Sequence, residues 1–189
     1  MRQLILVKHS APLIDRQKPS HEWVLSEEGK QRCGPLAESL RQFAPTTIVT
    51  STEPKAKGTA ELIGQALGVT VEEANDLYEH DRSNVPHMEG AEFQSAVALF
   101  FNEPDELVLG EETASEALER ISWAVEDVVA KHPGEGNLVI VSHGTVITLL
   151  VAHHNKVRSY QLWRQLRLPS YVVLELPDYK LVKTVDQIA

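Results

Sequence analysis

The sequence predicts an α/β protein, a three-layer α/β/α sandwich around a mostly parallel, mixed central sheet. Two observations carry that reading. Short apolar, β-branched runs recur along the chain, several without polar alternation, as strands covered on both faces require. Segments of helical period lie between them, and strands alternating with helices imply a sheet with helices on both sides. At 189 residues, with 42% apolar content, the chain is expected to be a single domain, 1–189, with one proper core.

In chain order, LILV (4–7) is the first strand. Ser26, followed by Glu27 and Glu28, marks a helix start, and Leu36 and Leu40, four apart, give the helix Glu27–Phe43 its apolar face. TTIV (46–49) is the next strand, and Lys55–Leu67 the next helix, closed by Gly68. Residues 76–112 are the least regular stretch, with FQSAVALFF as a short helical piece expected to pack on the sheet. In Ala114–Lys131, Leu118, Ile121, Val125, Val128 and Val129 fall on one face, and His132, Pro133 and Gly134 stop the helix. LVIV (138–141) and YVVLEL (171–176) are further strands, with LVKTV (181–185) behind the last.

The charge balance excludes some functions. Eighteen Lys and Arg stand against 27 Asp and Glu, so the net charge of −9 speaks against nucleic acid or an anionic membrane surface as partner. An anionic substrate would need local cations. Cys33, the one cysteine, allows no intrachain disulfide, and its place inside a helical segment without a neighbouring His or Asn motif reads as structural. The apolar run at the N-terminus is too short for a signal peptide, and no run of about 18 apolar residues occurs, so a soluble, cytoplasmic protein is expected.

Candidate chemistry lies at two strand ends. In open α/β sheets, ligands bind beyond the carboxyl ends of the strands. His9 follows LILV after Lys8, and His143 follows LVIVS at once, with Gly144 and the apolar helix TVITLLVA next. If the two strands are neighbours, both imidazoles reach one crevice. Gly144 would let a ligand approach the backbone, and the helix behind it would direct N–H donors at an anion. Lys55 and Lys57 sit at a predicted helix start, where cations oppose the macrodipole unless an anion binds there. No metal is expected. His153 and His154 are adjacent and cannot easily share one ion, and His80, Asp81, His87 and Glu89 show no metal-ligand spacing.

At these residues the chain resembles the histidine phosphatase superfamily, the phosphoglycerate-mutase-like proteins. LILVKHSAP (4–12) is similar to its first-strand motif, LSEEGKQ (25–31) to the lead-in of its first helix, and TSTEPKAKGTAELI (50–63) to its serine-rich turn with Arg-Ala-x-x-Thr-Ala. LYEHDR (77–82), GEETASEALERI (110–121), VIVSHGTVI (139–147) and LPSYVVLEL (168–176) follow in the family's order. The resemblance implies a cofactor-independent phosphatase. His9 would be the nucleophile forming a phosphohistidine, His143 a hydrogen-bond donor to the phosphoryl oxygens, and Glu79 the general acid and then base, with Asp81 as its alternative. Lys8, Ser10, Lys55, Arg82 and Gly144 would hold the phosphate. Residues 76–112 would cover a phosphorylated small-molecule substrate, and a homodimer is compatible with the resemblance.

The chain departs from the family at the phosphate. Lys8 and Lys55 stand where the family usually has arginine, which keeps the charge and loses the bidentate fork. Ser10 replaces the common glycine. Three functions therefore compete: a phosphatase, a phosphoglycerate mutase, for which the chain is short, and a phosphate-ligand-binding protein with weakened catalysis.

Overall fold

A computed structural model describes residues 1–88 and 90–188. Glu89, one of the candidate polar residues, lies outside them. The elements in order are β1 (Gln3–Lys8), α1 (Glu27–Arg41), β2 (Pro45–Ser51), α2 (Pro54–Leu67), β3 (Val71–Ala74), α3 (Gly90–Asn102) and α4 (Ala114–Lys131). They continue with β4 (Asn137–Ser142), α5 (Gly144–His154), α6 (Ser159–Gln165), β5 (Ser170–Glu175) and β6 (Lys180–Val185). The six strands form one sheet in the order β3-β2-β4-β1-β5-β6. β1, β2, β3 and β4 pair in parallel, and β5 runs antiparallel to both β1 and β6, which makes the sheet mixed.

The uninterrupted apolar strands serve two cores at once. Successive side chains of a strand point to opposite faces. Leu4 and Leu6 of β1, with Leu138 and Ile140 of β4, pack under α4, α5 and α6. Ile5 and Val7, with Val139 and Val141, pack under α1 and α2. All eight are buried. At about 1.5–3 kcal/mol for each fully buried side chain of this size, these strands supply a large share of the driving force for the fold.

Local chemistry sets the helix ends. Ser26 caps α1 by accepting the Gly29 N–H at 3.0 Å. The helix stops at Arg41, two residues before the expected Phe43, because Ala44 takes a left-handed φ of 43° that turns the chain into Pro45 and β2. Thr113 and Glu116 form a capping box at α4, and Gly68 closes α2 at φ 70°. β3 and α6 were not foreseen. β3 is a short, acidic edge strand, and α6 spans only seven residues.

One expectation for the irregular stretch is corrected. α3 does not lie on the sheet, since its buried Phe100 packs with Ala114 and Ala117 of α4 and Leu149 of α5. Those helices already cover that face, so α3 adds a local outer layer. Among the described residues, no helix is long and apolar enough to cross a membrane.

Candidate active site

The pairing of β1 with β4 brings the two histidines together. Lys8 is in register with Ser142, so each histidine is the next residue beyond its strand. The His9 N–H extends the ladder to the Ser142 carbonyl at 3.1 Å, and the rings meet edge to face with centroids 5.2 Å apart. Both are buried.

Their protonation states follow from the surroundings. His9 Nδ1 lies 2.8 Å from the Ser10 carbonyl, which can only accept, so the proton sits on Nδ1 and Nε2 keeps its lone pair. Burial, then His143 and Lys55, hold the His9 imidazolium well below its ordinary range. His143 is pushed down to about 3, mainly by burial and then by Lys55. Its Nε2 lies 2.9 Å from Ser51 Oγ and 3.5 Å from Glu53 Oε1, and its Nδ1 is buried without a protein partner.

Glu79 takes the N-terminus of α5. Its carboxylate accepts the backbone N–H groups of Thr145 at 3.1 Å, Val146 at 3.3 Å and His80 at 2.8 Å. Burial pushes this carboxyl up, but the Arg82 guanidinium, His143 and the backbone donors outweigh it and hold it at about 2. The loop that carries Glu79 is tied down from two sides. Ser142 Oγ donates to the Leu77 carbonyl at 2.8 Å. Arg120 of α4 donates to the carbonyls of Asp76 and Tyr78, both at 2.9 Å, stacks 3.6 Å over the Tyr78 ring and pairs with Glu112.

The cations are placed unequally. Lys8 Nζ donates to the Leu166 carbonyl at 2.7 Å, and burial, only partly offset by Glu79, lowers its pKa to about 8. Lys55 is buried, donates to the Ser20 carbonyl at 2.6 Å and forms an ion pair with Glu53. Lys8, His9, Lys55, Glu79, Arg82 and Thr145 all border one cavity of about 770 Å³. Lys57 is elsewhere, paired with Glu73 at the surface.

Two expected phosphate contacts are corrected. Ser10 is fully buried, its Oγ donates to the Gly29 carbonyl at 2.8 Å and its N–H donates to Thr59 Oγ1 at 3.0 Å. It joins β1 to α1 and α2, and it orients His9 through its carbonyl. Gly144 does not border the cavity, and a Cβ there would stand 2.9 Å from Lys8 Cε and Nζ. Its missing side chain makes room for the lysine. Two N–H donors at the start of α5, those of Thr145 and Val146, are taken by the Glu79 carboxylate.

Several other candidates fall away from the cavity. Asp81 accepts the Ser83 N–H at 2.9 Å and does not border it. His80 is buried against Phe100, with ring centroids 4.1 Å apart. His154 stacks on Tyr179. Cys33 is buried near the Gly29 carbonyl, and burial raises its thiol to about 11, so it is no nucleophile. Sequence reasoning missed Ser51, Glu53 and Arg120. The legible signal for Glu53 was a carboxylate just before Pro54 at a helix start, two residues from Lys55.

Residues 4–185 match the family model of the histidine phosphatase superfamily, branch 1. The chain is 28% identical over 127 residues to an uncharacterized phosphatase, PhoE, of Bacillus subtilis, covering 67% of this chain and 62% of that protein. It is also 28% identical over 156 residues to a metal-independent phosphoserine phosphatase of Arabidopsis thaliana, covering 77% and 65%. The matches therefore span just under two thirds of the length of these curated relatives. Among solved structures, a mycobacterial glucosyl-3-phosphoglycerate phosphatase superposes with a TM-score of 0.78 at 21% identity, covering 100% of this chain and 99% of the other. At that identity the likeness establishes the fold.

Proposed function

The chain belongs to the histidine phosphatase superfamily, branch 1, and from that premise we propose that it hydrolyses a phosphate monoester of a small molecule through a phosphohistidine on His9. The carrying observation is the unprotonated His9 Nε2, fixed by the Ser10 carbonyl and facing a cavity with cations on its floor. The Nε2 lone pair attacks phosphorus, the bond to the leaving oxygen breaks, and that oxygen takes the proton carried in by the phosphate monoanion, relayed through the Glu79 carboxylate. Water then attacks the phosphohistidine, Glu79 accepts its proton, and the N–P electron pair returns to His9. Lys8, Lys55 and Arg82 stabilise charge on the phosphoryl oxygens. His143, its ring edge to face with that of His9, donates to the phosphoryl oxygens. Residues 76–112 cover the leaving group, and the whole chain acts as one domain, its two cores sharing one sheet. The relatives' names favour hydrolysis over the mutase alternative. The buried, unreactive Cys33 suits a reducing compartment, and we place the activity in the cytoplasm.

The direct test is chemical trapping. Rapid alkaline quench after mixing with a phosphate monoester should leave one phosphoryl group on His9, identified by mass spectrometry. Free phosphate released without labelled His9 would defeat the mechanism.

Two further outcomes are expected. Gly144→Ala should lower kcat/KM about tenfold by displacing the Lys8 ammonium, with Tm nearly unchanged, because only the flexible end of a side chain must move. A large drop in Tm would show that the glycine serves the backbone instead. Arg120→Gln should cost about 2 kcal/mol of stability by removing the charged hydrogen bonds to the half-buried Glu112. Since Arg120 only positions the Glu79 loop, kcat should fall while inhibition by inorganic phosphate stays close to that of the parent.

A further inference from the structure

We propose that the cavity above His9 selects phosphate monoesters whose leaving group is a flat, apolar ring system. The inference rests on the phosphatase reading of the cavity floor and adds to it the identity of what leaves. The cavity, at about 770 Å³, lies within the usual 300–1,000 Å³ range of small-molecule sites and far exceeds the needs of a phosphate group. Its polarity is layered. The floor holds His9, Lys8 and Lys55, whereas Arg16, Gln17 and Lys18 border it as exposed residues at the rim.

Between floor and rim the walls are mainly carbon, interrupted by Ser20, Ser83 and His87. Trp23, Phe93 and Trp163 border the cavity half-buried, joined by the buried Leu109 and the half-buried Leu168. Phe93 and Trp163 meet edge to face at 5.8 Å, and Tyr160 stacks on Trp163 at 6.0 Å from outside the cavity, so this wall is stiffened from behind. Arg82 lies 5.0 Å from the Phe93 ring centre, linking the aromatic wall to a phosphate-binding cation. The Trp23 indole N–H is already donated to the Asp15 and Lys18 carbonyls, at 2.9 and 3.1 Å, so Trp23 has no donor left to offer a ligand.

A sugar or polyol leaving group fits these walls poorly. Its several hydroxyls each need a polar partner, and unpaired polar groups are costly when desolvated, while the largest side chains of the wall offer none. Among the described residues, Glu79 is the one carboxylate and Gln17 the one amide bordering the cavity; the N–H groups of α5 and His80 already hold the first, and the second is exposed at the rim. An aromatic ring needs no such partners and gains area against Trp23, Phe93 and Trp163.

The test compares 2-(1-naphthyl)ethyl phosphate with glycerol 3-phosphate. Both release a primary aliphatic alcohol, so their intrinsic reactivities are alike and the difference reports the cavity. With the parent protein, kcat/KM should favour the naphthyl ester by about tenfold or more, mainly through KM. Trp163→Ala should raise KM for the naphthyl ester and cut the preference towards unity. Trp123→Ala, which removes an indole exposed on α4, should leave both esters unchanged. Binding of each ester to His9→Ala by calorimetry separates the two levels of the inference. Tighter binding of the naphthyl ester together with turnover by the parent supports both. Tighter binding without turnover upholds the preference and overturns the phosphatase reading. Turnover of both esters with equal kcat/KM and equal affinity overturns the preference and leaves the phosphatase reading standing.

Discussion

Replacing His9 with alanine should lower kcat by about 10⁴-fold or more, the scale seen when a covalent nucleophile is removed. The residue is buried but lies at a strand end rather than inside either core, and its backbone N–H still reaches the Ser142 carbonyl in the variant. The protein should therefore remain folded, with near-parental Tm. Two measurements check this together: release of inorganic phosphate from a panel of alkyl and aryl esters, and the intermediate trapped by alkaline quench. A variant that retains even one hundredth of parental kcat would remove His9 from its role. Moving the histidine's task to His143 would not rescue it, because His143 Nε2 faces Ser51 and Glu53.

Glu79→Gln should lose about 10²–10⁴-fold in kcat/KM on alkyl esters and less than about tenfold on 4-nitrophenyl phosphate. The difference is diagnostic because a nitrophenolate leaves without a proton, and kcat/KM reports events only up to formation of the phosphohistidine. The pH dependence follows from the same site. Glu79, held at about 2, is ionised throughout the neutral range. The proton for an alkoxide must then arrive with the substrate monoanion, whose remaining ionisation lies near about 6. For alkyl esters, kcat/KM should fall as pH rises above that value. Lys8, lowered to about 8, is charged below that pH and loses its charge as pH rises through it. For 4-nitrophenyl phosphate this is the limb that remains, and phosphate binding should weaken above pH 8. Equal losses on both classes of ester in the glutamine variant would assign Glu79 to electrostatics alone.

Much of this was legible from the chain alone, for identifiable reasons. β1, β4 and β5 declare themselves because residues packed on both faces must be apolar at every position, and α4 does so through its one-sided apolar stripe. The two histidines were legible because strand ends are where such sheets bind ligands. What stayed hidden depends on contacts between distant segments. Arg120 reads as an ordinary charge on a helix, and only the fold brings it to the carbonyls of Asp76 and Tyr78. Glu53 reads as a surface carboxylate until burial joins it to Lys55, His143 and the Glu79 N–H. Gly144 and Ser10 were given ligand roles because their chemistry permits them. The packing assigns them instead to the Lys8 side chain and to the contacts of β1 with α1 and α2.

The position of β4 also bears on when the protein becomes active. β4 lies between β1 and β2 in space, yet it follows both in the chain, and its partners in β1 are 134 positions away. While the polypeptide is being made, β1 and β2 emerge without the strand that joins them, and long-range pairing of this kind is slow to form. A nascent chain carries His9 long before it has His143 or the amides of α5 that hold Glu79 in place. On the proposed mechanism, the growing polypeptide lacks a complete catalytic centre until β4 and α5 are out and paired with β1.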